Sequence, residues 1–596
     1  MRALQGRRLG IAAVAAAIGV LSSAPIAAAP APSVQTVPPP ESPTGAPAVE
    51  EGATPPSEVF FETVEVNVVN VDVFVTDKKG NPITGLTAGD FRVLEDGREV
   101  EVTNFLEVVR GEPRPAPEEG PAPGSSAGPE ATPTPAEPAA AAAPAGPQPL
   151  YLILYVDNFN LTPDNRRWAM DAVQRFLATQ LRRGDQVMLV TYDRGVHVRQ
   201  PFTNDPFAVN AAVDEMLRLV ANRSIGDTER QRILEEIFAS QTPAMGLSAA
   251  QRHADYLWNE MEHAVGALED VLRSLAGIEG RKALLYVSDG IPQIVGEDLF
   301  VAVEQRFKGY AARIRAMRYD MRSRYERLAV LANTSGVTLY TLDAKGQAID
   351  DTASAAYSGI LHHAPQANVG MIDMTRQQNL AAPLMSLADE TGGLAIMRTN
   401  ALDKALAEVA QDFETYYSLG YRRPLSGNER FHEIEVRLDR SGAVVRHREG
   451  FREKTPETRL REGTLAALQH GVEANPIAVE VAFGRGTPES SERFRLPVEV
   501  RMPLSRLALI PMGAVHHGRL RVAVAVLDPD GGTTPVLVQP PFNVEVPAAE
   551  MPDALDKHIT YALELVVRGG RQLVAVAVQD LFADRVSYLR QGVQIE

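Results

Sequence analysis

The chain has 596 residues, with 59 basic against 76 acidic side chains for a formal charge of −17, 43 prolines and no cysteine. That length exceeds a single hydrophobic core and implies roughly two to four domains. The acidic balance argues against general nucleic-acid binding. The absence of thiols removes disulfides, thiolate catalysis, Cys-based zinc and a lipid-modified N-terminal cysteine.

Arg2, Arg7 and Arg8 precede an apolar run from Leu9 to Leu21 and then small residues, with Ala27-Ala28-Ala29 or Ser22-Ser23-Ala24 as cleavage sites. This order reads as an export signal over residues 1–29. The run is short for a membrane span, and the competing reading is an uncleaved anchor. Export to the periplasm, cell envelope or medium is expected, with no transmembrane span once the signal is removed. Residues 30–57 are Pro, Ala, Ser and Glu and are expected to be disordered.

From 58 to 109 the text turns to β. Valines alternate with polar residues across Val64, Val66 and Val68, then Val71, Val73 and Val75, and "DKKGNP" and "EDGRE" supply turns. Residues 110–148 form a Pro/Ala-rich linker. Within it Gly124-Ser125-Ser126-Ala127-Gly128 matches a nucleophile elbow in letters only, because no strand precedes it and no helix follows.

Between 149 and 415 strands alternate with helices. Strand patterns fall at 150–156, 187–192, 196–200, 283–288, 337–342 and 393–397, and helical ones at 164–181, 206–220, 248–276, 300–334, 378–390 and 401–416. Apolar strands alternating with amphipathic helices predict an α/β unit, a doubly wound, mostly parallel sheet covered on both faces. Ligands of such sheets bind beyond the carboxyl ends of the strands, where Asp157 and Asp289 sit. Residues 416–455 return to β as a second piece of sandwich. A C-terminal β-rich domain, opening on a helix at 456–470, fills 456–596. Two similar stretches, "VDVFVTDKKGNPIT" and "VAVAVLDPDGGTTP", close a valine strand with an Asp-Gly turn.

A leading strand ending in Asp157, a middle "LVTYD" and a later "LLYVSDG" together resemble a von Willebrand factor A domain, in particular the VWFA-related acidobacterial type. The likeness takes in "VNVDVFVTDKKGNPITGLTAGDFRVLEDG" and "YYSLGYRR", and so covers about residues 60–453. It implies a metal-ion-dependent adhesion site, in which hydroxyls and carboxylates hold Mg²⁺ and a partner's acidic group completes the shell. Asp157 and Asp289 match the family's aspartates. Phe159 and Leu161 stand where the family has serines, so the site is degenerate; Asn160 is nearby and Thr228 is a loose candidate for the threonine. Two readings stay open: a Mg²⁺ site built on Asp157, Asp289, Asn160 and Thr228, or carboxylates that accept backbone N–H groups and shape the loops.

Other clusters read more plainly. Eight basic residues from Arg306 to Arg327 suit either an acidic partner or pairing with the chain's own acids. His362-His363 and His516-His517 read as surface histidines, Phe413 to Tyr421 as packing, and Asp528-Pro529-Asp530-Gly531 as a hairpin turn. No catalytic motif appears. The expected function is an exported binding or adhesion-type protein that recognises a protein or surface ligand. The alternatives are a secreted hydrolase with a site in 222–260 or the C-terminal domain, and an envelope scaffold that binds nothing.

Overall fold

The computed structural model describes residues 66–114, 149–180, 182, 184–221, 223–347, 358–424 and 427–595. The export signal, the 30–57 segment and the linker residues 115–148, with their Gly-x-Ser-x-Gly letters, lie outside them.

One unit is a two-sheet sandwich made from both sides of the central one. Strand Val66–Asp77 lies between Tyr416–Pro424 and Ala443–His447, and the sheet continues through Asn104–Val109 to Glu112–Arg114. The facing sheet pairs Phe91–Glu95 with Phe431–Leu438 and adds Arg98–Val100 and Gly450–Arg452 at its edges. Register places Val69, Val71 and Val73 opposite Tyr421, Leu419 and Tyr417, all of them buried. The inward phase is therefore the odd-numbered one. Val68, read from sequence as part of the same apolar alternation, is 38% exposed. Phe74, on the other face, packs on Val108 and Tyr416.

The strands of the central unit are β1 (Leu150–Asp157), β2 (Gln186–Tyr192), β3 (Val196–Thr203), β4 (Arg281–Ser288), β5 (Val337–Asp343) and β6 (Ala395–Ile396). They form one mixed sheet in the order β3-β2-β1-β4-β5-β6, parallel except for β3. Helices α1 (Pro163–Gln180), α2 (Pro206–Met216), α3 (Arg223–Ala239), α4 (Pro243–Leu275), α5 (Glu297–Arg306), α6 (Arg313–Ala316), α7 (Arg322–Ser335), α8 (Ser358–His363), α9 (Val369–Glu390) and α10 (Leu402–Glu414) surround it. Leu152, Leu154 and Val156 face α1, α2 and α10, while Ile153 and Tyr155 face α3, α4, α5, α7 and α9. Alternate residues of one strand thus feed two separate cores.

The helix expected over 300–334 is three. Gly309 takes φ +84°, and the broken ends find tertiary partners: Arg313 N–H bonds Glu304 and Val295 N–H bonds the Tyr319 carbonyl. Several of its arginines pair with acids of the chain, Arg313 with Glu304, Arg322 with Asp320 and Arg324 with Glu262 and Glu269. His362 and His363 are exposed, at the end of the short helix α8.

The C-terminal unit packs two antiparallel sheets over Leu496, Val498, Val522, Val524 and Val576. Helix α11 (Pro456–His470) covers the outer side of one sheet. It also touches α4's end so closely that a Cβ on Gly277 would lie 2.1 Å from the Glu462 backbone. The two Asp-Gly turns are built alike: Asp77 accepts the N–H of Lys79 and Asn81, and Asp528 those of Asp530 and Gly532. Among the described residues no helix is long and apolar enough to cross a membrane.

Candidate functional site

The strand order reverses between β1 and β4. A crevice opens at such a reversal because the connections leave to opposite sides. Asp157 ends β1 and Asp289 follows β4, so both flank it.

Asp157 is fully buried. Its Oδ1 accepts the Asn160 N–H at 3.2 Å, and its Oδ2 accepts Asn160 Nδ2 at 2.8 Å and the Tyr286 hydroxyl. Burial raises its pKa, opposed by those three bonds and by the charge of Arg223. Asp289 accepts Thr162 N–H at 2.9 Å and Asn165 Nδ2 at 3.0 Å. Its pKa is likewise raised by burial, with Arg223 the largest opposing influence. The two loops are tied directly, Asp289 N–H to Asn160 carbonyl at 3.1 Å. Gly290 is required here: its φ is +101°, and a Cβ would lie 2.8 Å from Leu380.

The remaining positions offer no oxygen. Phe159 packs edge-on against Tyr192 beneath the Arg194 guanidinium, and Leu161 is buried in the α1 core. Thr228 is exposed on α3, where its hydroxyl donates to the Ser224 carbonyl of its own helix. Of the four residues, Asp157 and Asn160 are joined directly and Asp289 through the Asn160 carbonyl; Thr228 has no part in that network. Each carboxylate oxygen of Asp157 and Asp289 already accepts from a protein donor, and Phe159 and Leu161 add no oxygen, so these four residues do not fit a Mg²⁺ shell, which needs near-octahedral oxygens. Among the described residues the cluster with metal-ligand spacing is elsewhere: Glu95, Asp96 and His432 in the sandwich, where Arg423 reaches Glu95 at 3.0 Å.

What the sequence reading missed is a set of arginines. Arg223 opens α3, with Nη1 donating to the Gly290 carbonyl at 3.2 Å and the Asn160 carbonyl at 3.4 Å. Against the upward push of burial, Arg376 and Arg223 hold the Asp227 carboxyl below its ordinary value. Arg230 bonds Asp298 at 2.6 Å. These side chains border a cavity of about 520 Å³ between α3, α4, α5 and α9, whose wall also includes the exposed Ile225 and Tyr256. Arg223 and Arg230, seven residues apart, fall on one face of α3, which the sequence reading did not assign as a helix.

A larger cavity, about 660 Å³, lies between the sandwich and the base of the sheet, far from these strand ends. Its walls hold Asp72, bonded to Arg281, and Lys282, whose pKa burial lowers to about 7 and whose ammonium bonds the Ile278 carbonyl. It is the seam between two units of one chain.

No family model and no curated protein matches the chain. Among solved structures it is similar to an aerotolerance-related membrane protein from Bacteroides fragilis, at 13% identity over 44% of this chain and 98% of that one, with a TM-score of 0.23. It is also similar to a von Willebrand factor type A protein from Catenulispora acidiphila, at 11% identity over 76% and 67%, with a TM-score of 0.20. A proximal thread matrix protein of the mussel byssus follows at 11% identity over 50% and 49%, with a TM-score of 0.21. Likenesses this distant carry no weight for what the chain does.

Proposed function

We propose that this chain is an exported binding protein. Its central unit, 149–415, is read as a doubly wound domain of von Willebrand A type set into the β-sandwich, and it recognises a protein or surface ligand at the cavity beyond β1 and β4. The observation that supports this is position. The cavity opens at the reversal of strand order, where open α/β sheets receive ligands. Its wall mixes guanidinium groups with exposed apolar Ile225 and Tyr256, the composition of a recognition surface. The reading is of recognition, not turnover, since the two buried carboxylates act as hydrogen-bond acceptors that hold loops.

The test compares the full mature chain with Ile225→Asp and Tyr256→Ala, both at exposed wall positions that leave the core alone. Each is used to retain envelope proteins and glycans. The wild type is expected to keep a component that both variants lose. Identical retained sets for all three chains would remove the cavity from recognition.

A further inference from the structure

We infer that the guanidinium of Arg223 stands in the place of a divalent cation at the β1/β4 crevice, so that this edge of the sheet is indifferent to metal. A hard cation requires several oxygen lone pairs turned toward one point. The side-chain oxygens of Asp157 and Asp289 are already turned to Asn160, Tyr286, Thr162 and Asn165. The carbonyls of Asn160 and Gly290 also face the crevice, the former already accepting the Asp289 N–H. Both accept from the same Arg223 nitrogen.

The arrangement is built, not incidental. Arg223 is the first residue of α3, and its own N–H bonds the Leu161 carbonyl at 3.3 Å, which fixes the helix start against the loop after β1. Its side chain is only 10% exposed. Its charge opposes the burial of both Asp157 and Asp289. A guanidinium suits this role because it stays charged at all relevant pH and is weakly hydrated, so its burial costs less than that of an ammonium. One fixed positive charge and one nitrogen donating to two carbonyls replace what an ion and its hydroxyl ligands supply elsewhere. The loss of oxygen at Phe159 and Leu161 is then consistent with the gain of a cation at 223.

The inference rests on reading this edge as the ligand edge, but its test uses metal alone, so it can fail without touching partner recognition. The full chain, stripped with EDTA, is titrated with Mn²⁺ followed by electron paramagnetic resonance, and its Tm is recorded in EDTA and in millimolar Mg²⁺. For the wild type we expect no stoichiometric Mn²⁺ binding and the same Tm in both. Arg223→Ala is expected to melt lower in EDTA and to recover in Mg²⁺. Its Mn²⁺ affinity should rise at least ~10-fold, the scale on which groups around a site tune metal binding. Adding Asp289→Asn should abolish that gain.

Wild-type Mn²⁺ binding that Asp157→Ala removes would overturn the inference. So would an Arg223→Ala chain destabilised equally with and without Mg²⁺, which would make Arg223 a packing residue only. Should Arg223→Ala fail to fold, Arg223→Lys decides with the wild-type titration. It keeps the charge and must remain indifferent to metal; a Mg²⁺-dependent Tm in the lysine variant would sink the idea.

Discussion

The central sheet has charges buried at both ends, and the two ends use them differently. At its base, Arg446 from the sandwich grips Asp412 of α10 through two bonds of 2.7 and 2.9 Å, and Tyr340 adds a third to the same carboxylate. Arg281 opens β4 and reaches Asp72 of the sandwich at 3.0 Å, with its guanidinium 3.8 Å above the Tyr416 ring. Each pair joins one unit to the other. At the top, Arg223, Arg230 and Arg376 find Asp227, Asp298 and Asp373 within the central unit itself. Among the described residues no other unit is engaged there, and Arg223, Arg230, Arg376, Asp227 and Asp298 border the 520 Å³ cavity. Buried charge is common to both ends. Which unit supplies the countercharge separates a seam between units from a face closed within one unit.

The strongest way to break this comparison is at the base. Arg446→Ala leaves Asp412, 5% exposed, without its bidentate partner. Removing one member of a buried pair costs about 3–5 kcal/mol, so denaturant unfolding should show a loss of that order. A loss under 1 kcal/mol would mean that the seam does not depend on the pair. At the top, Asp157→Ala strips acceptors from Asn160 and Tyr286 but leaves no unpaired charge of its own. The expected cost is smaller, about 1–3 kcal/mol for unsatisfied buried donors. If it matched or exceeded the base variant, the two ends would not differ as described.

A third variant probes the other seam, where His470 at the end of α11 bonds Ser274 of α4 at 2.9 Å. Burial lowers its pKa from 6.5 to about 4. Between those values the unfolded chain takes up a proton that the folded chain refuses. The contribution of His470 to stability is therefore complete above pH 6.5 and lost as pH falls toward 4. His470→Gln should flatten the fall in Tm across that window relative to wild type; parallel curves would refute the assignment. The smallest effect is expected at Thr228→Ala. Its hydroxyl serves only its own helix at an exposed position, so stability should stay within about 0.5 kcal/mol.

The central strands were legible because apolar runs of strand length end at polar residues. Sequence placed strands at 150–156 and 337–342, and the structure has Leu150–Asp157 and Val337–Asp343. The same pattern exposed Asp157 and Asp289 as residues at strand ends. Side-chain periodicity carried less where backbone conformation decides. It ran α5, α6 and α7 together, since an Arg-rich stripe continues through a turn that only Gly309 marks. It also stretched β6, which pairs over Ala395–Ile396 alone. Arg223 was not legible at all. Its acceptors lie 63 and 67 residues away, and a contact of that span leaves no local trace.

The divided sandwich also sets a timetable for the chain. Leu86 donates to the Tyr417 hydroxyl across a separation of 331 residues, and strand Val66–Asp77 has Tyr416–Pro424 and Ala443–His447 as its neighbours. At about 5–20 residues per second of synthesis, those partners appear roughly 17–75 s after the early strands. Throughout that interval the valine-rich strand 66–77 lacks both of its ladder neighbours, a template for wrong strands. A ribosome paused before residue 416 should therefore hold a chain whose early strands are open to protease and whose aggregation rises with the length of the pause.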